Sequence, residues 1–75
     1  MSRGTRVEHL WRLRRRGHRV DAALRDAGDA GGVEIQFLYD GAVAHQRVWP
    51  NRAQAIAEAK RKRADLERSG WILHW

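Results

Sequence analysis

From Val33 to Tyr39 the chain alternates, with Val33, Ile35, Phe37 and Tyr39 on one side and Glu34, Gln36 and Leu38 on the other. A period of two in β-branched and aromatic residues predicts a half-buried strand. Asp40-Gly41 follows, a dipeptide suited to the positive φ angles of a type I′ hairpin turn. Folding back around it pairs Tyr39 with Ala42, Phe37 with Ala44, Val33 with Val48, and Glu34 with Arg47, so small residues face large ones and an acid faces a base. After Pro50 the period changes to 3.6. Ala55, Ile56, Ala59 and Leu66 form one stripe, with Arg63 at the same helical angle and Ala53, Ala57 and Ala64 widening the face. Asn51 is placed to cap this helix, with Gln54 completing a capping box, and Ser69-Gly70 ends it. Glu58 and Lys62 are spaced for an i,i+4 ion pair.

Val7 to Asp26 admits two patterns. Val7, Leu10, Trp11, Ala23, Leu24 and Ala27 fit a helix, but Gly17 and the basic run around it do not. Turned at Arg16-Gly17, the same residues form a hairpin in which Leu13 opposes Val20, Trp11 opposes Ala22 and His9 opposes Leu24. Arg12 then meets Asp21 and Glu8 meets Arg25, two opposite-charge pairs from one register, at the cost of Arg14 facing Arg19. The hairpin is the better reading. Residues 26–32 hold three glycines and predict a loop; no phosphate-loop lysine follows its GxxGG spacing.

These elements predict an α+β fold: a four-stranded antiparallel meander of two X-Gly hairpins with one C-terminal helix packed on one face, ββββα. The competing architecture, αββα, begins with a helix. The expected organisation is one small domain, with residues 1–6 a mobile basic tail, 7–49 the sheet, 51–69 the helix and 70–75 an apolar tail. That tail, from Trp71 to Trp75, is expected to fold back on the core, add a fifth strand, or dock on a partner. Projected onto one sheet, Trp11, Leu13, Val20, Ala22, Leu24, Val33, Ile35, Phe37, Tyr39, Ala44 and Val48 face the helix. Leu10, Arg12, Arg14, Arg19, Asp21, Arg25, Gln36, Leu38, Val43, His45, Arg47 and Trp49 face away.

Composition sharpens the picture at one point, the charge. The net charge is +6. Residues 1–25 carry eight arginines against Glu8 and Asp21, residues 26–50 sum to −3, and residues 51–75 to +3. Two basic blocks flanking an acidic middle suggest a polyanion partner such as nucleic acid; a solvated surface in an arginine-rich proteome gives the same composition. With 75 residues and no cysteine, the chain has neither disulfides nor thiolate metal ligands to supplement a small core, so burial against a partner or a second copy is expected. No membrane span or signal-peptide core is evident, which predicts a soluble cytoplasmic protein.

The candidate nucleic-acid-binding residues are Arg12, Arg14, Arg15, Arg16, Arg19 and Arg47, with Trp49 to stack a base, and Lys60, Arg61 and Lys62 on the helix. The candidate interface residues are Leu38, Val43, Trp49, Trp71, Leu73 and Trp75, for a protein partner or a homodimer. His9, His18, His45 and His74 share no ligand spacing, so no metal or other cofactor is expected. Ser2 and Thr5 lie in the tail and Ser69 at a helix end, and the carboxylates are dispersed. An enzyme is not expected, nor a small-molecule substrate or a membrane partner.

The run through Leu10-Trp-Arg-Leu, Leu24-Arg-Asp, Gly32-Val-Glu, Asp40-Gly, Arg47-Val-Trp-Pro and Gly70-Trp resembles small bacterial proteins of unassigned function. The order of four strands then a helix is similar to PUR-repeat and Whirly-type domains, which bind single-stranded nucleic acid. That likeness is one of topology and carries over no functional residue.

Overall fold

In the computed structural model, residues 7–28 and 31–73 are described; the expected tail at residues 1–6, together with His74 and Trp75, lies outside them. Strands β1 (Val7–Arg15) and β2 (His18–Asp26) form the first hairpin, β3 (Val33–Tyr39) and β4 (Ala42–Trp49) the second, and helix α1 (Arg52–Arg68) follows. A short β5 (Ile72–Leu73) closes the sheet, whose order is β4-β3-β2-β1-β5. The fold is the α+β, ββββα arrangement; the helix-first alternative is excluded by β1 and β2.

Both turns have the anticipated chemistry. Arg16 and Gly17 lie at φ 50° and 80°, Asp40 and Gly41 at 50° and 90°, the paired positive angles of type I′ turns that match the twist of the flanking strands. Asn51 accepts a bond from the Gln54 amide at 2.9 Å. At the other end Gly70 N–H donates to Glu67 O and Trp71 N–H to Leu66 O, both at 3.1 Å, a Schellman motif that turns the chain back towards β1.

The core lies between the sheet and α1. Trp11, Leu13, Val20, Ala22, Leu24, Ile35 and Phe37 meet Ala55, Ala59 and Leu66. The alanines let α1 approach closely enough for the Trp11 indole to donate to the Ala59 carbonyl at 3.1 Å. Leu13↔Val20, Arg12↔Asp21 and Trp11↔Ala22 pair in the expected register.

Two bulges correct the remainder. Between His9 and Trp11 the register shifts, so His9 opposes Ala23, Glu8 opposes Leu24 and Val7 opposes Arg25. The extra residue lets Leu10 pack against the core rather than face away. Glu8 turns towards α1 and binds Arg52 at 2.8 and 2.9 Å, while Arg25 pairs across β2–β3 with Glu34 at 2.5 Å.

The second shift falls where Phe37 meets His45 and Leu38 meets Val43, leaving Ala44 extra. Val33 therefore opposes Trp49, Ile35 opposes Arg47 and Glu34 opposes Val48, not the expected Val48 and Arg47 partners. His45, Arg47 and Trp49 move to the helix side and Val48 to the open side. The gain is area: the large Trp49 ring packs against the core, whereas Val48 stays 50% exposed. The tail resolves as a strand, with Leu73 opposite Leu13 and Ile72 opposite Arg14. Trp71 packs on the core, edge-on to Tyr39 at 6.0 Å. The expected Glu58–Lys62 pair does not form: Glu58 binds Arg61 and Lys62 lies 6.0 Å from the centre of the Phe37 ring.

Candidate polyanion-binding site

In a meander every second turn falls at the same end, so Arg16-Gly17 and Asp40-Gly41 are neighbours. The C-terminus of α1 and the start of β5 reach the same end, since β5 runs antiparallel to β1 from Arg14 outwards. Arg14, Gly17, His18, Arg19 and Asp40 line a shallow cavity of about 340 Å³ there.

Asp40 organises the tip. Its Oδ1 accepts from the Arg19 amide at 2.9 Å, and its Oδ2 lies 3.0 Å from His18 Nδ1. The bond to His18, followed by that from the Arg19 amide, holds the Asp40 carboxyl below its ordinary value of 3.8. The carboxylate is thus occupied in fixing the two hairpins to each other.

Ion pairing sorts the cations of the chain. Asp21, 6% exposed, accepts a forked pair from Arg12 at 2.8 and 3.3 Å and lies 3.7 Å from Arg19 Nε. Arg25, Arg52, Arg61, Arg63 and Arg68 each pair with a carboxylate. Arg14, Arg15 and Arg16 pair with no described carboxylate, and all three are exposed. Three consecutive uncompensated guanidinium groups at one turn form the densest free charge among the described residues.

The other candidate residues divide between two surfaces. Arg12, Arg14 and Arg19 share the open face of the sheet with Leu38 and Val43, as expected. Arg47 and Trp49 are on the helix side, with the Arg47 guanidinium 4.2 Å from the centre of the indole ring. The face that was to combine arginines with an exposed Trp49 therefore carries the arginines without the indole. Lys60 and Arg61 are exposed on α1 and Lys62 is half-buried. Of the interface candidates, Trp71 is half-buried against its own core, Leu73 is in β5, and Trp75 lies outside the described residues.

The aromatics near the tip are Tyr39 and Trp71, and the sequence reading missed them in this role, with His18 and Asp40. The signal was available: two X-Gly turns in one meander share an end. Among the described residues no group of three or more His, Cys, Asp or Glu side chains could hold a metal ion. No described helix is long and apolar enough to cross a membrane. The chain matches no protein-family model, no curated protein and no solved structure.

Proposed function

We propose that this protein binds nucleic acid, single-stranded or without sequence preference, at the tip formed by its two hairpin turns. The carrying observation is the set of unpaired arginines Arg14, Arg15 and Arg16, beside His18 and the Asp40-tethered Arg19. Phosphates would neutralise guanidinium groups that no described carboxylate reaches, and the release of condensed counterions would drive association. Arginine forks contact phosphate in two places and favour it over a point acceptor. Tyr39, 42% exposed, offers a ring for a base in place of Trp49. Such a role asks for no cofactor.

The test is fluorescence anisotropy of labelled single-stranded and duplex oligonucleotides with salt varied. Binding at about 50 mM salt that weakens steeply on adding salt supports the reading. No binding to any oligonucleotide at that ionic strength removes it.

A second reading, self-association or a protein partner, is favoured by the open sheet face. Val43 and Val48 there are 49% and 50% exposed, as are Val7 and Ile72 at 48% and 52%, beside the half-buried Leu38. Sedimentation equilibrium at micromolar concentration distinguishes it, since a monomer that stays folded on dilution removes the dimer.

A further inference from the structure

Strand β4 ends the sheet. It pairs with β3 on one side and has no described strand on the other, so its outer N–H and C=O groups form an open ladder. Its helix side is not flush with α1. One cavity of about 380 Å³ is lined by Phe37, Tyr39, Ala44, His45, Glu58 and Lys62. A second, of about 330 Å³, is lined by Trp49, Gln54, Ala57, Glu58 and Arg61. Both include Glu58, so they adjoin across its side chain along the groove between α1 and β4.

Two features lie along the groove. The Trp49 indole Nε1 is buried and has no hydrogen-bond partner, a donor that costs free energy until an acceptor reaches it. Lys62 lines the groove and Arg47 lies over the ring of Trp49 at its side; neither forms an ion pair with a described carboxylate. Glu58, the acid of the groove, is taken by Arg61.

We infer that the β4 edge and the α1–β4 groove receive an extended acidic peptide strand of a partner protein, which adds to the sheet as a sixth strand. Main-chain bonds to β4 would supply the affinity and alternate side chains the specificity. One set of side chains enters the groove, and carboxylates among them meet Arg47 and Lys62. The other set lies beside Val43 and Val48 on the open face. A second copy of this chain is the poorer occupant. The eight residues of β4 hold no acid, so pairing β4 with β4 sets His45 and Arg47 against their own kind. This surface borders the hairpin tip at Tyr39 but uses none of Arg14, Arg15 and Arg16, and it does not rest on nucleic-acid binding.

The probe is a blocked peptide of eight residues, the length of β4, alternating glutamate and valine, with a lysine-for-glutamate version as control. Amide NMR of the intact protein should show shifts along Ala42–Trp49 and at the Trp49 indole N–H with the acidic peptide only. Outer β4 amides should also gain protection from hydrogen exchange. Arg47→Glu with Lys62→Glu should weaken the acidic peptide by about tenfold and admit the basic one. Methylating the backbone nitrogens along the bonding edge of the peptide should abolish the shifts with the protein unaltered. The inference is overturned if the acidic peptide perturbs Arg14–Arg16 and leaves β4 silent. It is equally overturned if both peptides bind alike, if the methylated peptide binds undiminished, or if the protein is already a β4-paired dimer.

Discussion

Replacing Arg14, Arg15 and Arg16 together with glutamine removes the unpaired charge of the tip while keeping long polar side chains in place. All three are exposed, and none holds a carboxylate that the change would strand. The fold should therefore survive. Each phosphate neutralised on a single strand contributes about −0.7 to the slope of log K against log salt, so three give about −2. Raising salt from about 50 to about 200 mM should then cost the parent roughly 20-fold more in affinity than it costs the triple variant. Arg61→Gln is the control, because Arg61 already pairs with Glu58 on α1; its slope should match that of the parent. Anisotropy titrations at four or more salt concentrations measure all three slopes, with thermal melts to verify folding. A folded triple variant that keeps the slope of the parent refutes the assignment of the tip, as does an Arg61→Gln variant that flattens the slope equally.

Three further outcomes follow from the packing and the ion pairs. A Cβ on Gly32 would lie 2.3 Å from the Trp49 carbonyl oxygen, at φ 81°, whereas one on Gly31, at φ 76°, would meet nothing within 4 Å. Gly32→Ala should thus cost about 3 kcal/mol and Gly31→Ala about 1 kcal/mol by denaturant unfolding, and equal costs would contradict the close approach. Trp11→Phe removes the bond to Ala59 O and leaves part of the indole volume empty; a loss of about 2 kcal/mol, or roughly 10 °C in Tm, is expected. The hydrogen bond from Arg52 holds the Glu8 carboxyl below its ordinary 4.5, so its contribution is fully present above that pH and is lost as pH falls through the lowered value. Glu8→Gln should flatten the acid limb of Tm against pH below about 4.5, and an unchanged limb would show the pair contributes nothing.

The parts of the fold legible in the sequence were those fixed by local chemistry. Positive φ demanded Arg16-Gly17 and Asp40-Gly41 as turns, and helix ends demanded Asn51 and Gly70. In the first hairpin Arg12 and Asp21 set the register near the turn, and there it held. Farther from each turn the period of two was trusted across a point where the chain inserts a residue. A bulge leaves no local mark when the extra residue is Leu10 or Ala44, each acceptable in a regular strand. What decides it is a competition for buried area. In β4 the choice lay between Val48 with an Arg47–Glu34 pair, and Trp49 with Arg47 lying over its ring. An exposed cross-strand ion pair is worth a few tenths of a kcal/mol, and the difference in apolar area between tryptophan and valine outweighs it. Reading the acid–base pair as the anchor of the register gave the smaller of these terms priority.

The same shift decides what the open face can do. Expected with Trp49 and Arg47 beside Arg12, Arg14 and Arg19, that face would have joined stacking to phosphate contact. Without them its arginines are largely engaged: Arg12 and Arg19 by Asp21, and Arg25 by Glu34. Gln36 donates to Gln46 at 3.2 Å and closes the row between them. Uncompensated charge is thereby driven to the two margins of the sheet, the hairpin tip and the β4 edge. The tip has exposed guanidinium groups without a strand to pair, which suits a flexible phosphate backbone. The edge has cations beside an open ladder and an unsatisfied indole, which suits an extended acidic chain. Under the two proposals one basic protein would hold two anionic partners on surfaces of different geometry, and salt should separate them: binding at the tip should fall steeply with ionic strength, and binding of a strand held by main-chain bonds at β4 should fall less.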